Sequence, residues 1–259
     1  MKCTICIPTY KRPDCLNNLL SAIAAMEDPR IAEILIGVSY EEKDSINQIT
    51  QHLLRVFEIQ NISCKIISDL HGYIDAIKWF KNTASQDILL IADDDCLINK
   101  TYFNLLTFFN DEDVAAVSGS IQTPLDINYY KSYSYEAIDN PDKNILCNVL
   151  QVNDKDFVEI KNNYQIYMLK NPEVYNCMCL VGTALFIRKK YLCPDDNYKK
   201  GIHYEEFDYT YAAYQKGKKL LYYSGEIAYH FHNPVGGMRA LQRELKKKNS
   251  DYFRAKWNI

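Results

Sequence analysis

The sequence predicts an α/β fold with a mostly parallel central sheet flanked by helices. Short apolar runs such as EILIGVS (33–39) and DILLIA (87–92) alternate with stretches whose apolar residues recur at helical spacing. Strands that are apolar on both faces are typical of parallel sheets covered by helices on both sides. The length of 259 residues suits one large domain, predicted here to carry an insertion and a C-terminal helix.

The first half of the chain, about 1–119, alternates regularly between strand and helix patterns. The predicted strands are 2–8, 33–39, 63–68, 87–92 and 114–119, and the predicted helices cover 14–26, 43–58, about 72–84 and about 100–109. Asp14, which follows Pro13, is the expected N-cap of the first helix. Ligands of such sheets bind at the carboxyl ends of the strands, so a site is expected at that edge.

The second half, about 120–259, is less regular. Residues about 121–176 are polar and rich in tyrosine and asparagine, which predicts an irregular, substrate-facing excursion over the carboxyl edge of the sheet. The elements predicted beyond it are regular structure over 177–192, a helix over 204–217 with Gly217 as its C-cap, two extended segments, and a basic amphipathic helix over 237–256.

Composition narrows the class of protein. A net charge of −3 and a pI of about 6.0 give no electrostatic reason to expect a nucleic-acid partner. Nine cysteines without regular spacing fit reduced thiols in the cytosol better than a disulfide framework. The start MKCTICIPTYKRP lacks the apolar core of a signal peptide, and no apolar stretch approaches membrane-spanning length. We therefore expect a cytoplasmic protein.

Three consecutive aspartates, Asp93, Asp94 and Asp95, follow the apolar run that ends at Ala92. Their mutual repulsion and desolvation call for a compensating charge, and hard oxygen ligands at a strand end suit Mg²⁺ or Mn²⁺. A helix cap or a surface loop would also explain such a run. Its position at the predicted ligand-binding edge favours a metal site.

Two further clusters carry titratable groups. Glu205, Glu206 and Asp208 lie near the start of a predicted helix, where acidic residues either complement the helix dipole or supply a general base. His230 and His232 alternate along an extended segment, so only one of them can readily face a given site. As a ligand, imidazole suits Mn²⁺ better than Mg²⁺.

The order of these motifs resembles glycosyltransferase family 2. The resemblance covers nearly the whole chain and rests on IPTYKRP after the first strand, DDD after the fourth, and then GTALFIRKK, EEFD, YHFH and a final F-x-x-K-W. It implies the GT-A fold, in which a nucleotide-sugar-binding half, here about 1–119, is fused to an acceptor-binding half, here about 120–259. The irregular excursion would then be an insertion on the acceptor side.

The resemblance also implies roles for individual residues. The donor would be bound by residues from the first strand end, the aspartate run and the GTA segment: Pro8, Thr9, Tyr10, Arg12, Asp93, Asp94, Gly182 and Thr183. Apart from the resemblance, Arg239 in the tail is a cation available to pair with the phosphates of the donor, and ordinary surface charge is the alternative. The cofactor would be Mn²⁺ or Mg²⁺, held by Asp95, Asp93 and His230.

The resemblance implies a catalytic base as well. Glu206 matches the second acid of the family's Glu-Asp-x-Asp helix start, which is commonly the base, with Glu205 and Asp208 as substitutes. Glu206 would accept the proton of an acceptor hydroxyl that attacks the anomeric carbon, and the family's usual outcome is inversion. His230 follows Glu206 by 24 residues, which fits the family's metal-ligating histidine better than His232 does.

The expected partners are a nucleotide-sugar donor, with a UDP-sugar as the first choice, and a glycan or lipid-linked glycan acceptor. Two segments depart from the family pattern, because GVSYEEKD ends the second strand and LHGYIDA follows the third. The nucleobase is therefore left open. By resemblance the role would be bacterial surface-polysaccharide assembly, and the basic tail helix allows peripheral contact with the inner face of a membrane. A sugar nucleotidyltransferase and a non-catalytic binding module are the alternatives.

Overall fold

The structure is a computed structural model that describes residues 1–40, 42, 45–122, 149–152, 157–160, 174–198, 204–231 and 242–258. Most of the predicted excursion over about 121–176 lies outside the described residues. His232, Arg239 and the first part of the predicted tail helix lie outside them as well.

Strands and helices alternate along the chain. The strands are β1 (Cys3–Thr9), β2 (Ile31–Ser39), β3 (Ser63–Leu70), β4 (Ile88–Ala92), β5 (Cys96–Leu97), β6 (Val114–Gln122), β7 (Val149–Val152), β8 (Phe157–Ile160), β9 (Val174–Cys177), β10 (Ala184–Arg188) and β11 (Lys219–His230). The α-helices are α1 (Pro13–Met26), α2 (Gln48–Ile59), α3 (Tyr73–Thr83), α4 (Glu205–Gln215) and α5 (Gln242–Trp257), and 3₁₀ helices cover Lys100–Asn110 and Lys189–Tyr191.

One large sheet organises these elements. Its strand order is β3-β2-β1-β4-β10-β6-β11-β5, and β9 also pairs with β11. Strands β1 to β4, β6 and β11 run in one direction, whereas β5, β9 and β10 run against them. Among the described strands, β7 and β8 form a separate antiparallel pair. The predicted fold class is confirmed, with antiparallel β10 inserted between β4 and β6.

Both faces of the sheet are buried, as the continuous apolar runs predict. Strand β4 is buried along its whole length. Cys3 and Cys6 of β1 belong to two different hydrophobic clusters, since residues three apart in a strand point to opposite faces. A third cluster packs Phe253 of α5 against Ile74 of α3 and Tyr211 of α4. The C-terminal helix therefore lies against the helix that begins with the acidic cluster.

The helix starts differ from the predictions at two places. Helix α1 begins at Pro13, with Arg12 as a backbone N-cap, so the prediction that Asp14 caps this helix is wrong. Proline favours the first helical position because its missing N–H needs no partner there. Helix α2 begins later than predicted, because Asn47 and Thr50 form a capping box in which each side chain accepts from the other's backbone N–H.

Three later elements also depart from the predictions in detail. Lys100–Asn110, predicted as an α-helix, is a 3₁₀ helix. Gly217, predicted as the C-cap of α4, lies one residue beyond the C-cap Lys216 and has a left-handed φ of 73°. The two predicted extended segments are one strand, β11, with an irregularity in its pairing between Tyr223 and Ile227.

Candidate functional site

The aspartate run lies at the carboxyl edge of the sheet, directly after β4. The N–H of Asp93 donates to the carbonyl of Thr183 at 3.0 Å, and the N–H of Phe231 donates to the carbonyl of Asp95 at 2.9 Å. The backbone of the run is therefore fixed between the segment that leads into β10 and the end of β11. This placement explains how residues far apart in sequence reach one site.

Asp94 is the structural member of the run. It is fully buried, the Thr9 hydroxyl donates to one of its oxygens at 2.6 Å, and the Arg12 guanidinium lies 2.5 Å from the other. Burial raises the pKa of Asp94 to about 7, although Arg12 and Thr9 favour its ionised form. Asp94 therefore ties the end of β4 to the end of β1. This contact favours a positioning role over direct contact with a ligand.

Asp93, Asp95 and His230 form a group that could hold a metal ion. Each offers one ligand atom, and the three atoms lie within 4.8 Å of one another. The Nε2 atom of His230 is 3.1 Å from Asp95 Oδ1 and 3.6 Å from Asp93 Oδ2. Two carboxylates and one imidazole are a donor set that fits a divalent cation such as Mn²⁺. These are the three residues that the sequence predicted as metal ligands.

Arg12 supplies positive charge to the aspartate run. Its guanidinium contacts both Asp94 and Asp95, the latter through a hydrogen bond from Nη1 to Oδ2 of 2.6 Å. Burial lowers the pKa of Arg12, but the three aspartates raise it further, so the net shift is upward. The sequence predicted a donor-binding role for Arg12. The structure places it at the predicted edge, where it also stabilises the carboxylates.

The acidic cluster lies at the first turn of α4, after Tyr204 in a left-handed conformation with φ 73°. Glu206 is packed against Gly182, since a Cβ on that glycine would lie 3.2 Å from the Cβ of Glu206. The next residue, Thr183, accepts from the backbone N–H of Asp93. One short segment thus connects the acidic helix start to the metal-ligand group.

Glu205 differs from Glu206 in its environment. Only 6% of Glu205 is exposed, whereas Glu206 is half-buried. Burial, and then the neighbouring Glu206, raise the pKa of Glu205 well above its usual value. Of the two, Glu206 is the carboxyl group with access to a ligand.

No sequence motif marked two tyrosines near this cluster, the buried Tyr209 and the partly buried Tyr73. Burial, followed by nearby groups that include Glu205 and Glu206, raises the pKa of both Tyr73 and Tyr209. The hydroxyl of Tyr73 would lie 3.5 Å from a Cβ on Gly182. A sequence clue existed for Tyr73, because it follows a glycine at the carboxyl end of β3, where ligand-binding residues are expected.

Asp208 is held by the C-terminal helix. Its two carboxylate oxygens accept from Lys256 Nζ at 2.7 Å and from Trp257 Nε1 at 2.8 Å, and the residue is buried. The carboxylate therefore anchors α5 to α4, which favours a structural role over that of a base. The contacts also give a physical reason for the final F-x-x-K-W motif, whose last two residues make both bonds.

The predicted nucleotide-binding loop lies at the end of β1. Pro8 is in the strand, and the ring of Tyr10 lies beyond it, 5.4 Å from the ring of Tyr40 at the end of β2. Lys11 Nζ lies 5.6 Å from the centre of the Tyr10 ring. Tyr40 is exposed and has a left-handed φ of 65°. No sequence motif marked Tyr40 as a site residue, although it lies at a strand end.

The comparison with protein families decides the class of this chain. A model of the family described as glycosyltransferase like family 2 matches residues 2–248. The chain belongs to this family. This match confirms the resemblance predicted from the order of the motifs. A search of curated proteins found no match to the sequence of this family 2 chain.

Several solved structures share its fold. GalNAc-T7 with UDP, GalNAc and Mn²⁺ gives a TM-score of 0.68 at 14% identity, over 100% of this chain and 50% of that one. The mannosyltransferase PcManGT from Pyrobaculum calidifontis, in complex with GDP-Man and Mn²⁺, gives a TM-score of 0.62 at 14% identity, over 99% of this chain and 64% of that one. TarS 1–349 from S. aureus gives a TM-score of 0.57 at 15% identity, over 98% of this chain and 72% of that one. These identities show a shared fold, and the family 2 chain spans only half to two thirds of the first two structures.

Proposed function

We propose that this family 2 chain transfers a sugar from a nucleotide-sugar donor to a hydroxyl of a glycan or glycolipid acceptor, with inversion at the anomeric carbon. The supporting observation is one juxtaposition. Gly182 packs against Glu206, and its neighbour Thr183 is bonded to Asp93. A candidate base and a metal-ligand group therefore flank the same short segment. An inverting displacement requires a base on one side of the sugar and charge stabilisation at the leaving group on the other.

Asp95, His230 and Asp93 would bind the metal that accompanies the donor, and the imidazole favours Mn²⁺ over Mg²⁺. A divalent cation bound there would neutralise the negative charge that develops on the β-phosphate of the leaving nucleoside diphosphate. Arg12 engages Oδ2 of Asp95, while Oδ1 lies 3.1 Å from His230. The guanidinium thereby fixes the carboxylate with one oxygen beside the imidazole.

Glu206 would act as the general base that takes the proton of the acceptor hydroxyl. It is the half-buried carboxyl of the cluster, and it lies against the segment that carries Gly182 and Thr183. The two substitutes fit less well, because Glu205 is buried and both oxygens of Asp208 are engaged by α5. Acceptor binding would then fall to the second half of the chain, about 120–259.

The donor would be bound across the carboxyl ends of β1, β2 and β4. Tyr10 and Tyr40 offer aromatic faces to a nucleobase, and the edge near Arg12 offers positive charge to the phosphates. A UDP-sugar is the first choice. A GDP-sugar is the second, because the mannosyltransferase of similar fold is described with GDP-Man and GalNAc-T7 with UDP, both with Mn²⁺.

The proposed setting is bacterial surface-polysaccharide assembly on a lipid-linked glycan at the cytoplasmic face of a membrane. Helix α5 supports surface contact, since Lys247, Lys248 and Arg254 are exposed on it. No helix among the described residues combines the length and apolar character needed to cross a bilayer.

Release of nucleoside diphosphate from a panel of UDP-, GDP- and other nucleotide sugars tests this function. With Mn²⁺ and a glycan acceptor present, we expect one donor class to release diphosphate, and we expect EDTA to stop the release. Pyrophosphate consumption or release in place of nucleoside diphosphate would instead indicate a nucleotidyltransferase. Failure with every donor and acceptor, together with retained carbohydrate binding, would indicate a non-catalytic module.

A further inference from the structure

The last turn of α5 holds a buried carboxylate of the helix that carries Glu206. Asp208 is 2% exposed, and it accepts from Lys256 Nζ at 2.7 Å and from Trp257 Nε1 at 2.8 Å. A carboxylate withdrawn from water is destabilised unless charge-assisted hydrogen bonds replace its hydration. The position of Asp208 is therefore tied to α5, and Asp208 lies two residues beyond Glu206 on α4.

Helix α5 also packs against the residue that precedes the acidic cluster. Tyr204 has a left-handed φ of 73°, which is an unfavourable conformation for a residue with a bulky side chain. Such a conformation persists where the surrounding structure holds it. The ring of Tyr204 lies 5.7 Å from the ring of Phe253, which is fully buried on α5. Contacts with α5 therefore flank the two glutamates on both sides in sequence, at Tyr204 and at Asp208.

A hydroxyl on α4 connects the same turn to the metal-ligand group. The Thr210 hydroxyl donates to the carbonyl of Glu206 at 2.8 Å and accepts from the N–H of Leu180 at 3.2 Å. Leu180 begins the short segment that runs through Thr183 into β10, and Thr183 accepts from the N–H of Asp93. A shift of the first turn of α4 would therefore change the position of Glu206 relative to Asp93.

The bonds from α5 fall into two sets, because Lys256 bridges two segments of the chain. Its Nζ atom donates to Asp208 on α4 and, at 2.8 Å, to Asp195 in the segment before α4. Tyr252, one turn earlier on α5, donates its hydroxyl to Asp195 at 2.9 Å. The contact with Asp195 can thus be weakened at Tyr252 without changing the bonds to Asp208.

We propose that Lys256 and Trp257 are positioning residues for sugar transfer. They hold Asp208, and with it the first turn of α4, and so keep Glu206 in place beside the segment that leads to the metal-ligand group. The inference rests on the proposed function for the role of Glu206 as the base. Proton transfer requires the base within hydrogen-bond reach of the acceptor hydroxyl, so a small displacement of Glu206 lowers the rate steeply.

Hydrogen exchange of the protein without substrate tests whether α5 holds α4. The N–H of Asp208 donates to the carbonyl of Tyr204 at 2.9 Å, so its exchange reports opening of the first turn of α4. Trp257→Phe removes the indole N–H and keeps a ring against Tyr211, and Lys256→Met removes the ammonium group. In the double variant, exchange across 204–210 should be ~10–100-fold faster, since two hydrogen bonds to a buried carboxylate are lost.

Transfer kinetics test whether this contact positions the base. The double variant should lose ~10–100-fold in kcat with little change in the KM for the donor, because a small misplacement of a catalytic group costs up to about this factor. Trp257→Phe alone should give smaller effects in the same direction, and it serves in place of the double variant if that protein does not fold. Tyr252→Phe is the matched control, because it removes a hydroxyl from the same helix and leaves the bonds to Asp208. It should keep wild-type exchange across 204–210 and wild-type kcat.

Three outcomes would overturn the proposal. Unchanged exchange across 204–210 would show that α5 does not hold the first turn of α4. Faster exchange with unchanged kcat would show that the contact does not position the base. Equal losses of kcat in Tyr252→Phe and Trp257→Phe would show that the rate follows the general stability of α5. If wild-type protein releases no nucleoside diphosphate from any donor, the proposed function fails and the role of the base fails with it, while the exchange experiment still decides whether α5 holds α4.

Discussion

Glu206→Gln is expected to lower the rate of sugar transfer by ~10²–10⁴-fold while donor binding remains close to that of wild type, since a positioned general base contributes about this factor. Glutamine has nearly the shape of glutamate, so the packing of this position against Gly182 is retained. The loss should therefore appear in kcat and not in the affinity for nucleotide. Steady-state release of nucleoside diphosphate measures kcat, and calorimetric titration of the protein with nucleotide, in the presence of Mn²⁺, measures the affinity.

A matched control is available on α2. Glu58 is exposed in that helix, away from the acidic cluster, so Glu58→Gln makes the same chemical change without touching the site. It should leave kcat unchanged. If Glu206→Gln also transfers sugar at near wild-type rate, Glu206 is not the base, and Asp208 or Glu205 must be reconsidered.

Asp95→Ala is expected to abolish metal-dependent donor binding. Asp95 offers a ligand atom beside His230, and its backbone is held by Phe231 at the end of β11. Loss of a partner that only orients a metal ligand typically costs ~10–100-fold in affinity, so loss of the ligand itself should cost more. After this substitution Arg12 still has its ion pair with Asp94, so the charge of the guanidinium remains partly neutralised.

Asp87→Ala is the matched control for this experiment. Asp87 is exposed and directly precedes β4, so it lies at the end of the strand opposite to the carboxyl edge. Calorimetric titration of each variant with nucleoside diphosphate, in the presence of Mn²⁺, should give wild-type binding for Asp87→Ala and no binding for Asp95→Ala. Unchanged binding in Asp95→Ala would remove Asp95 from the metal site.

The strands of the first half could be predicted because their signal is local. A strand buried on both faces must be apolar at every position, and β4 is such a strand from Ile88 to Ala92. The insertion of antiparallel β10 between β4 and β6 could not be predicted, because pairing partners depend on contacts between distant segments. The start of α1 was wrong by one residue because Pro13, not Asp14, sets it.

The site could be predicted in its residue types but not in the roles that burial assigns. The resemblance to family 2 implied that Asp93, Asp95 and His230 share one metal site, and the geometry brings them within reach of one ion. It could not separate Asp94 from its neighbours, since that separation depends on bonds to Thr9 and Arg12 at the end of another strand.

The central claim is that the carboxyl edge of the sheet binds a nucleoside diphosphate through a divalent metal. Thermal unfolding with UDP, GDP, ADP and CDP, each with Mn²⁺ and with EDTA, tests it most directly. At nucleotide about 100-fold above its dissociation constant, the linkage of binding to stability corresponds to ~2.7 kcal/mol, or a rise in Tm of roughly 5–10 °C for a chain of this size. We expect such a rise in Tm for at least one nucleotide with Mn²⁺, and no rise in EDTA. An equal rise in EDTA, or no rise with any nucleotide, would contradict the claim.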